Sequence, residues 1–339
     1  MRMMMDAVHE NRLLGAWARH LPRPAAQIGC IHESDAELLP MGHGQVLALT
    51  VDTVADEITA GLYRWPETAG RIAVVASLSD LAAVGAAPSG LLLSVVLPAG
   101  DPEEAQAAVA RGVALACERG GVGVLGGDTS IGPSLSVTCV AAGLVPAGEA
   151  LVRVGAQAGD TLWASGPLGS GSALAAAALL AAGGMDEDDW QPSARLLEGQ
   201  GLRGIARACM DTSDGLIATL DQLARLNDLR VCVETPVEDL LDTRALSLAR
   251  TTGLPPLAML AGPHGEYELV FAVPPGRVAA MRRMAAGRGW RPLWLGHVEA
   301  GSGLTFGSRD VDGALVRNLA AQAGQDPLRA AHELSALLA

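Results

Sequence analysis

Lysine is absent from this sequence of 339 residues, and all 24 basic side chains belong to arginine. Its absence excludes three kinds of site: the P-loop with its phosphate-binding lysine, the strand lysine of the protein kinases, and any Schiff-base lysine. A chain of this composition that binds phosphate groups must therefore use arginine, helix N-termini or metal ions.

Aromatic residues are also scarce, at 3% of the chain, although half of the sequence is hydrophobic. Ala, Leu and Val must therefore fill the core, and the length suffices for two ordinary domains or one large one. The net charge of −13 argues against nucleic acid or an anionic membrane as a general partner.

The cysteines have no Cys-x-x-Cys spacing, and several lie in apolar runs: Cys30, Cys117, Cys139, Cys209 and Cys232. We interpret them as small buried hydrophobic side chains rather than as metal or redox ligands. Residues 1–20 lack the apolar core of a signal peptide, and the longest apolar run, residues 173–182, is too short to span a bilayer. We therefore expect a soluble, cytoplasmic protein.

Strand-like and helix-like patterns alternate along the chain; for example, residues 45–52 indicate a strand and residues 71–85 a helix. Pro146 and Gly148 break the pattern between two halves, so we predict an α/β protein. The expected segments are an N-terminal helix at 1–27, an α/β domain at 28–147, a second α/β domain at 148–312 and a helical tail at 313–339.

Aspartates lie in small-residue or apolar surroundings near the predicted ends of strands and helices: Asp35, Asp52, Asp80, Asp128, Asp211 and Asp214. Buried carboxylates are costly without compensation, and six can converge only around divalent cations. Oxygen ligands without a His or Cys cluster favour Mg²⁺, which shares its ligation with substrate phosphates. The pattern therefore predicts a nucleotide held through Mg²⁺ ions, with Arg153 as the best-placed basic group.

The stretch Met-Asp-Thr-Ser-Asp-Gly-Leu at residues 210–216 also fits a simple helix start. Either Ser213 or Asp214 is the expected N-cap of a helix that begins at Gly215. A capped helix accounts for one of the three polar side chains at 211, 213 and 214, and leaves the others for chemistry.

In chain order, the segments HESDAELL, LTVDTV, ASLSDLAAVGAAP, LGGDTS, LVRVGAQAGD, MDTSDGL and HGEYELVF resemble the thiamine-monophosphate kinases. These belong to the aminoimidazole-ribonucleotide-synthetase-like (PurM-like) ATP-binding superfamily, and the resemblance covers residues 28–300. It implies a two-domain α/β fold whose N-terminal domain forms a sheet or barrel across a homodimer. ATP would lie in the cleft with several Mg²⁺ ions.

By motif match, the resemblance also implies roles for individual residues. The metal ligands would be Asp35, Thr50, Asp52, Asp80, Asp128, Asp211 and Asp214. ATP would contact Gly127, Asp128, Arg153 and Ser213, and Glu266 would face the phosphate acceptor. Among these, Asp128, Arg153 and Asp214 are the expected catalytic residues.

Three departures from the family concern mainly the acceptor. Glu33-Ser34-Asp35 replaces Gly-Asp-Asp, and the Asp-Glu-Ile-Thr at residues 56–59 replaces a His-containing segment that contacts thiamine phosphate. The family motif Gly-Gly-Glu-Asp-Tyr-Glu-Leu becomes one residue longer, at residues 262–269. The sequence therefore predicts that the ATP and metal machinery is retained, and it leaves the identity of the acceptor open.

The leading hypothesis is an ATP- and Mg²⁺-dependent kinase acting on thiamine monophosphate or a related small-molecule acceptor. A second hypothesis is ATP-dependent activation of an amide or carbonyl oxygen, followed by dehydration, cyclisation or amine capture. A third is a degenerate nucleotide-binding dimer module. The sequence leaves all three open.

Overall fold

A computed structural model of the chain describes residues 5–180, 185–262, 264–322 and 327–339. Its N-terminal half contains a five-stranded sheet with the order β1-β2-β5-β3-β4. The strands are β1 (Glu37–Gly42), β2 (Gln45–Thr53), β3 (Ala87–Pro98), β4 (Val124–Gly132) and β5 (Ser136–Pro146). Neighbouring strands are antiparallel, except that β3 and β4 are parallel because a helical crossover connects them.

Helices accompany this sheet: α1 (His9–Ala18), α2 (Ala55–Thr59), α3 (Pro66–Ala83) and α4 (Pro102–Gly120). Helix α3 is buried from residue 68 to 83 with the exception of Asp80, as expected for a helix that is apolar on all sides. It begins five residues before the predicted start at residue 71, with Pro66 in the first turn. A Cβ at Gly112 of α4 would lie 1.8 Å from the backbone oxygen of Glu67, so glycine lets the two helices approach closely.

The C-terminal half contains a seven-stranded sheet with the order β12-β11-β8-β10-β6-β9-β7. Only β8 and β11 are parallel neighbours in it. The strands are β6 (Thr161–Ala164), β7 (Ala208–Asp211), β8 (Leu229–Val233), β9 (Leu269–Val273), β10 (Leu293–Ala300), β11 (Gly303–Phe306) and β12 (Arg309–Val311).

Eight α-helices are described in this half: α5 (Ser170–Leu179), α6 (Leu196–Leu202), α7 (Leu216–Asn227), α8 (Val237–Leu240), α9 (Thr243–Thr252), α10 (Val278–Gly287), α11 (Gly313–Ala320) and α12 (Pro327–Leu338). Two 3₁₀ turns lie at Pro256–Leu260 and Pro275–Arg277. The mixed α/β class predicted from the sequence is confirmed. Of the helix expected at the N-terminus, residues 1–4 lie outside the described part.

Helix α3 lies between the two sheets and carries polar side chains to both. It packs against β2 and β5 on one side and against β7 on the other. Ser77 donates a hydrogen bond of 2.9 Å to the backbone oxygen of Cys139 on β5, and Ser79 donates one of 2.8 Å to Asp211 on β7. Within the described residues, no helix is both long and apolar enough to cross a bilayer.

Candidate functional site

Three carboxylates from distant segments meet beside α3. Asp35 precedes β1, Asp80 is the charged residue near the end of α3, and Asp211 ends β7. One oxygen of each lies within 4.8 Å of the others, and the backbone N–H of Asp211 donates to Asp35 Oδ1 at 3.4 Å. The arrangement brings together oxygen ligands that can hold a hard metal ion.

The end of β2 adds two further predicted residues to this group. Thr50 donates a hydrogen bond to Asp80, and Asp52 lies close enough for its charge to interact with those of Asp35 and Asp80. Asp35 Oδ2 and Asp52 Oδ2 are buried and have no hydrogen-bond partner in the described structure. Buried carboxylate oxygens are normally paired, so these two atoms fit a site for a cation.

Burial and mutual repulsion raise the pKa values of three carboxyl groups in this cluster. Burial raises the pKa of Asp52 to about 6 and the pKa of Asp211 to about 7, and neighbouring carboxylates add to both shifts. Burial, followed by the charges of Asp52 and Asp211, raises the pKa of Asp80 well above its usual range. A bound divalent cation would favour the ionised forms that these surroundings disfavour.

Arg153 supplies the nearest positive charge. One guanidinium nitrogen lies 2.9 Å from Asp35 Oδ1, and the Asp35 side chain is 0% exposed. Burial alone would lower the pKa of Arg153, but the Asp35 carboxylate outweighs it and leaves the pKa above its usual range. Arg153 Nε is buried and has no hydrogen-bond partner among the described residues. Glu33 does not join the cluster, since its carboxylate accepts from the N–H of Cys30 at 2.8 Å.

The segment after β7 holds Ser213 and Asp214. Ser213 donates to Asp211 Oδ1 at 3.0 Å, which places it beside the cluster. The predicted N-cap role of Ser213 or Asp214 is wrong: Gly215 is the N-cap of α7, and no side chain caps the helix. Gly215 has a φ of +84°, and a Cβ there would lie 2.6 Å from the backbone oxygen of Gly262, so glycine is required.

Gly127 and Asp128 lie on β4, at the exposed edge of the first sheet. A Cβ at Gly127 would lie 2.0 Å from the backbone oxygen of Leu93, so only glycine fits. Asp128 pairs with Ser94 of β3 and is exposed. Across the described residues, no hydrogen bond or ion pair joins Asp128 to the Asp35–Asp80–Asp211 group, which the structure therefore assembles without it.

Glu266 is buried, with 5% of its surface exposed, against the glycine-rich turn before α5. Its carboxylate accepts a hydrogen bond of 3.0 Å from the N–H of Ser170, the first residue of that helix. Burial raises the pKa of Glu266 to about 8. The carboxylate therefore occupies the helix N-terminus, while His264, two residues earlier, lines the neighbouring cavity.

That cavity has a volume of about 420 Å³ and opens beside Asp214. Its walls come from α1, α2, α7 and α11, and they carry both signs of charge: Glu10, Asp56, Glu57, Asp214 and Arg317. Burial raises the pKa of Glu57 to about 7, and one Glu57 oxygen is buried with no hydrogen-bond partner in the part of the chain that the structure describes. The cavity suits a small molecule with cationic and anionic ends.

Sequence reasoning missed several residues of this region. Ser77 and Ser79 had a visible signal, because both are polar positions in an otherwise apolar helix. Arg317 had no such signal in the sequence, because it lies in the C-terminal segment at 313–339. Only the fold brings it to the cavity beside Asp214. There it is hydrogen-bonded to Gln222 at 2.6 Å.

Comparison with known proteins gives a consistent result. Residues 33–145 match the model of the AIR synthase related protein family, N-terminal domain. The thiamine-monophosphate kinase of Caulobacter vibrioides is 33% identical over 300 residues, covering 82% of this chain and 81% of that protein. The enzyme of the same name from Halobacterium salinarum is 36% identical over 247 residues, covering 71% and 81%.

Solved structures share the fold. The thiamine-monophosphate kinase of Stenotrophomonas maltophilia K279a has a TM-score of 0.68 at 27% identity, covering 87% of this chain and 95% of that chain. AaThiL complexed with AMPPCP and TMP has a TM-score of 0.75 at 22% identity, covering 91% and 96%. With relatives above 30% identity matched over more than two thirds of its length, the chain belongs to the thiamine-monophosphate kinase family.

Proposed function

We propose that this protein transfers the γ-phosphoryl group of ATP to thiamine monophosphate, with Mg²⁺ ions bound at the carboxylate cluster. The main support for this proposal is the carboxylate cluster, in which one oxygen each of Asp35, Asp80 and Asp211 lies within 4.8 Å of the others. Their carboxylates, which are buried or half-buried and repel one another, fit a cation-dependent phosphate site in a chain without lysine. The retained cluster also argues against a degenerate binding module.

The proposed metal ligands are those expected from the sequence: Asp35, Thr50, Asp52, Asp80, Asp128, Asp211 and Asp214. Bound Mg²⁺ would neutralise the charge on the β- and γ-phosphates of ATP. Arg153 points a buried, unpartnered Nε into the same region, and we assign it to a phosphate oxygen. Gly127, Asp128 and Ser213 complete the proposed ATP contacts, with Asp128, Arg153 and Asp214 in catalytic roles.

The acceptor fits the cavity beside Asp214. Thiamine monophosphate has a cationic ring and a phosphate. The cavity offers Glu57 for the ring and Arg317, which is ion-paired with Glu10 and Asp221, for the phosphate. The attacking phosphate oxygen is already anionic, so no general base is needed. We assign Glu266 an acceptor-side role through its bond to Ser170, which fixes the loop that carries His264 into the cavity wall.

We further propose a homodimer paired along β4. This edge strand is exposed from residue 124 to 131, with Leu125 71% exposed and Ile131 65% exposed. An open edge with apolar side chains is a template for pairing with another strand. Leu125→Glu is expected to give a monomer in sedimentation velocity, whereas Leu197→Glu, at a position 68% exposed on α6, leaves the dimer intact. A dimer unaffected by Leu125→Glu would refute this interface.

The test of the reaction is a product balance. Purified protein with ATP, Mg²⁺ and thiamine monophosphate is expected to form ADP and thiamine diphosphate in equal amounts, a reaction that we place in the cytoplasm. Inorganic phosphate formed in place of thiamine diphosphate would favour the amide- or carbonyl-activating alternative. The Asp80→Asn variant, purified in parallel, measures any contaminating kinase.

A further inference from the structure

A second cluster of ligand-type side chains lies on the C-terminal sheet, outside the site described above. Cys232 of β8 and His297 of β10 are directly paired across two antiparallel strands, and Glu299 follows two residues after His297. One ligand atom from each of the three lies within 4.8 Å of the others. A thiol, an imidazole and a carboxylate therefore share one small patch of the sheet.

The strand periodicity explains why these side chains share a face. Val231, Val233 and Val298 are buried on the core side, so their neighbours Cys232, His297 and Glu299 face outward. The register between β10 and β6 shifts between Trp294 and Gly296, and a Cβ at Gly296 would lie 2.0 Å from the backbone oxygen of Cys232. A glycine at this bulge lets β10 pair closely with β8 and aims His297 beside Cys232.

Glu234 contacts the imidazole of His297 on the side away from Glu299. His297 Nδ1 lies 2.9 Å from Glu234 Oε1, while Nε2 faces Glu299 at 4.0 Å. An Nδ1–H donated to Glu234 leaves a lone pair on Nε2, the nitrogen that lies 4.0 Å from Glu299. A carboxylate that orients the imidazole through its second nitrogen is the usual support of a metal-binding histidine.

Contrary to the interpretation of Cys232 from the sequence as a buried hydrophobic side chain, we propose that Cys232 Sγ, His297 Nε2 and Glu299 bind a Zn²⁺ ion, with water as the fourth ligand. Thiolate, imidazole and carboxylate are all Zn²⁺ ligands, whereas Mg²⁺ prefers oxygen alone. Ligands around one Zn²⁺ lie roughly 3–4 Å apart at its usual bond lengths, so only small side-chain rotations are needed from the present separation. On binding, the Cys232 thiol gives its proton to solvent and its sulfur bonds the metal.

The charges around the cluster are compatible with this site. Arg230 lies 4.0 Å from Glu299, but it also forms a close ion pair with Asp310. Arg230 therefore keeps a partner when Glu299 turns to the metal. Because the site links β8 to β10 on an outer face, its effect is on the stability of the sheet rather than on phosphoryl transfer.

Cobalt substitution tests the proposal on the full-length, metal-stripped protein, with excess Mg²⁺ and without ATP. Co²⁺ is expected to give a thiolate-to-metal charge-transfer band in the wild type. The band is expected to vanish in Cys232→Ser and to remain in Cys30→Ser, which changes an exposed cysteine outside the cluster. No band in the wild type, or a band that survives Cys232→Ser, overturns the site.

Zn²⁺ competition with a chromophoric chelator gives a second readout that leaves the thiol in place. Glu234→Gln is expected to weaken Zn²⁺ binding by about 10- to 100-fold, and His297→Gln, which removes a ligand, by at least as much. Glu234 is 48% exposed and His297 36% exposed, so both variants are expected to fold, which thermal unfolding checks. Unchanged affinity in both variants contradicts the assignment of His297 as a ligand oriented by Glu234.

Discussion

Ser79 of α3 donates a hydrogen bond of 2.8 Å to Asp211, at the end of β7, and the residue after Ser79 is Asp80, which carries the next carboxylate of the cluster. One turn of the central helix thus contributes a carboxylate and also holds a carboxylate of the second sheet in place. This hydrogen bond joins the two halves at the point where the phosphates are proposed to bind.

The ion pair between Arg153 and Asp35 leads to a prediction about the stability of a double variant. Arg153→Gln leaves the Asp35 carboxylate buried without its counter-ion, and we expect a loss of about 3–5 kcal/mol in the free energy of unfolding. Adding Asp35→Asn removes the uncompensated charge and is expected to restore most of that stability. Urea unfolding without Mg²⁺ measures both variants.

Activity is expected to behave differently from stability in the same series. A guanidinium that stabilises transition-state charge contributes about 10³-fold in rate, so kcat stays low in both variants. If the double variant is as unstable as Arg153→Gln alone, or if it regains kcat, the assigned role of the pair is wrong.

Two adjacent glycines offer a matched steric test. A Cβ at Gly127 would lie 2.0 Å from the backbone oxygen of Leu93, whereas at Gly126 the nearest atom is Leu92 Cδ2 at 4.0 Å. We expect Gly127→Ala to destabilise the protein by about 1–3 kcal/mol and to weaken ATP binding. Gly126→Ala is expected to stay within about 0.5 kcal/mol of the wild type in thermal unfolding. Equal effects of the two changes would show that β4 is not constrained at Gly127.

Glu266 predicts a pH-dependent stability. Burial raises its pKa to about 8 from an ordinary 4.5, so between those values the folded protein holds a proton that the unfolded chain releases. Stability from this group therefore falls as pH rises through that interval, by at most about 1.4 kcal/mol per pH unit. Glu266→Gln keeps an acceptor for the N–H of Ser170 and is expected to be more stable than the wild type at pH 8.

Urea unfolding at pH 5.5 and pH 8 measures this difference, with the exposed Glu103→Gln as the control. The wild type and Glu103→Gln are expected to lose stability in parallel, and Glu266→Gln to lose less. A Glu266→Gln variant with the same pH dependence as the wild type would contradict the protonation of the buried carboxyl.

The sequence predicted the parts of the site that follow from local pattern. Asp80 stood out as a charge in an apolar helix, and Asp52 and Asp211 as carboxylates at the ends of apolar strands. Since a buried carboxylate must be paired with a cation or hydrogen-bonded, the sequence alone indicated that these side chains lie close together. The mixed α/β class followed from the alternation of strand and helix patterns.

What the sequence could not give depends on tertiary packing. The N-cap prediction at Ser213 or Asp214 was wrong because Ser213 is hydrogen-bonded to Asp211, and Gly215, with its positive φ, is the N-cap instead. Arg317 reaches the acceptor cavity only because α11 packs against α7. The position of Glu266 against α5 likewise depends on a turn almost a hundred residues upstream.

The central claim is that these carboxylates hold the triphosphate through Mg²⁺, and nucleotide binding tests it most directly. Calorimetry with a non-hydrolysable ATP analogue is expected to show binding to the wild type in Mg²⁺, none in chelator, and at least a roughly 10-fold loss with Asp80→Asn. Equal affinity with and without Mg²⁺, unaltered by Asp80→Asn, would contradict the account.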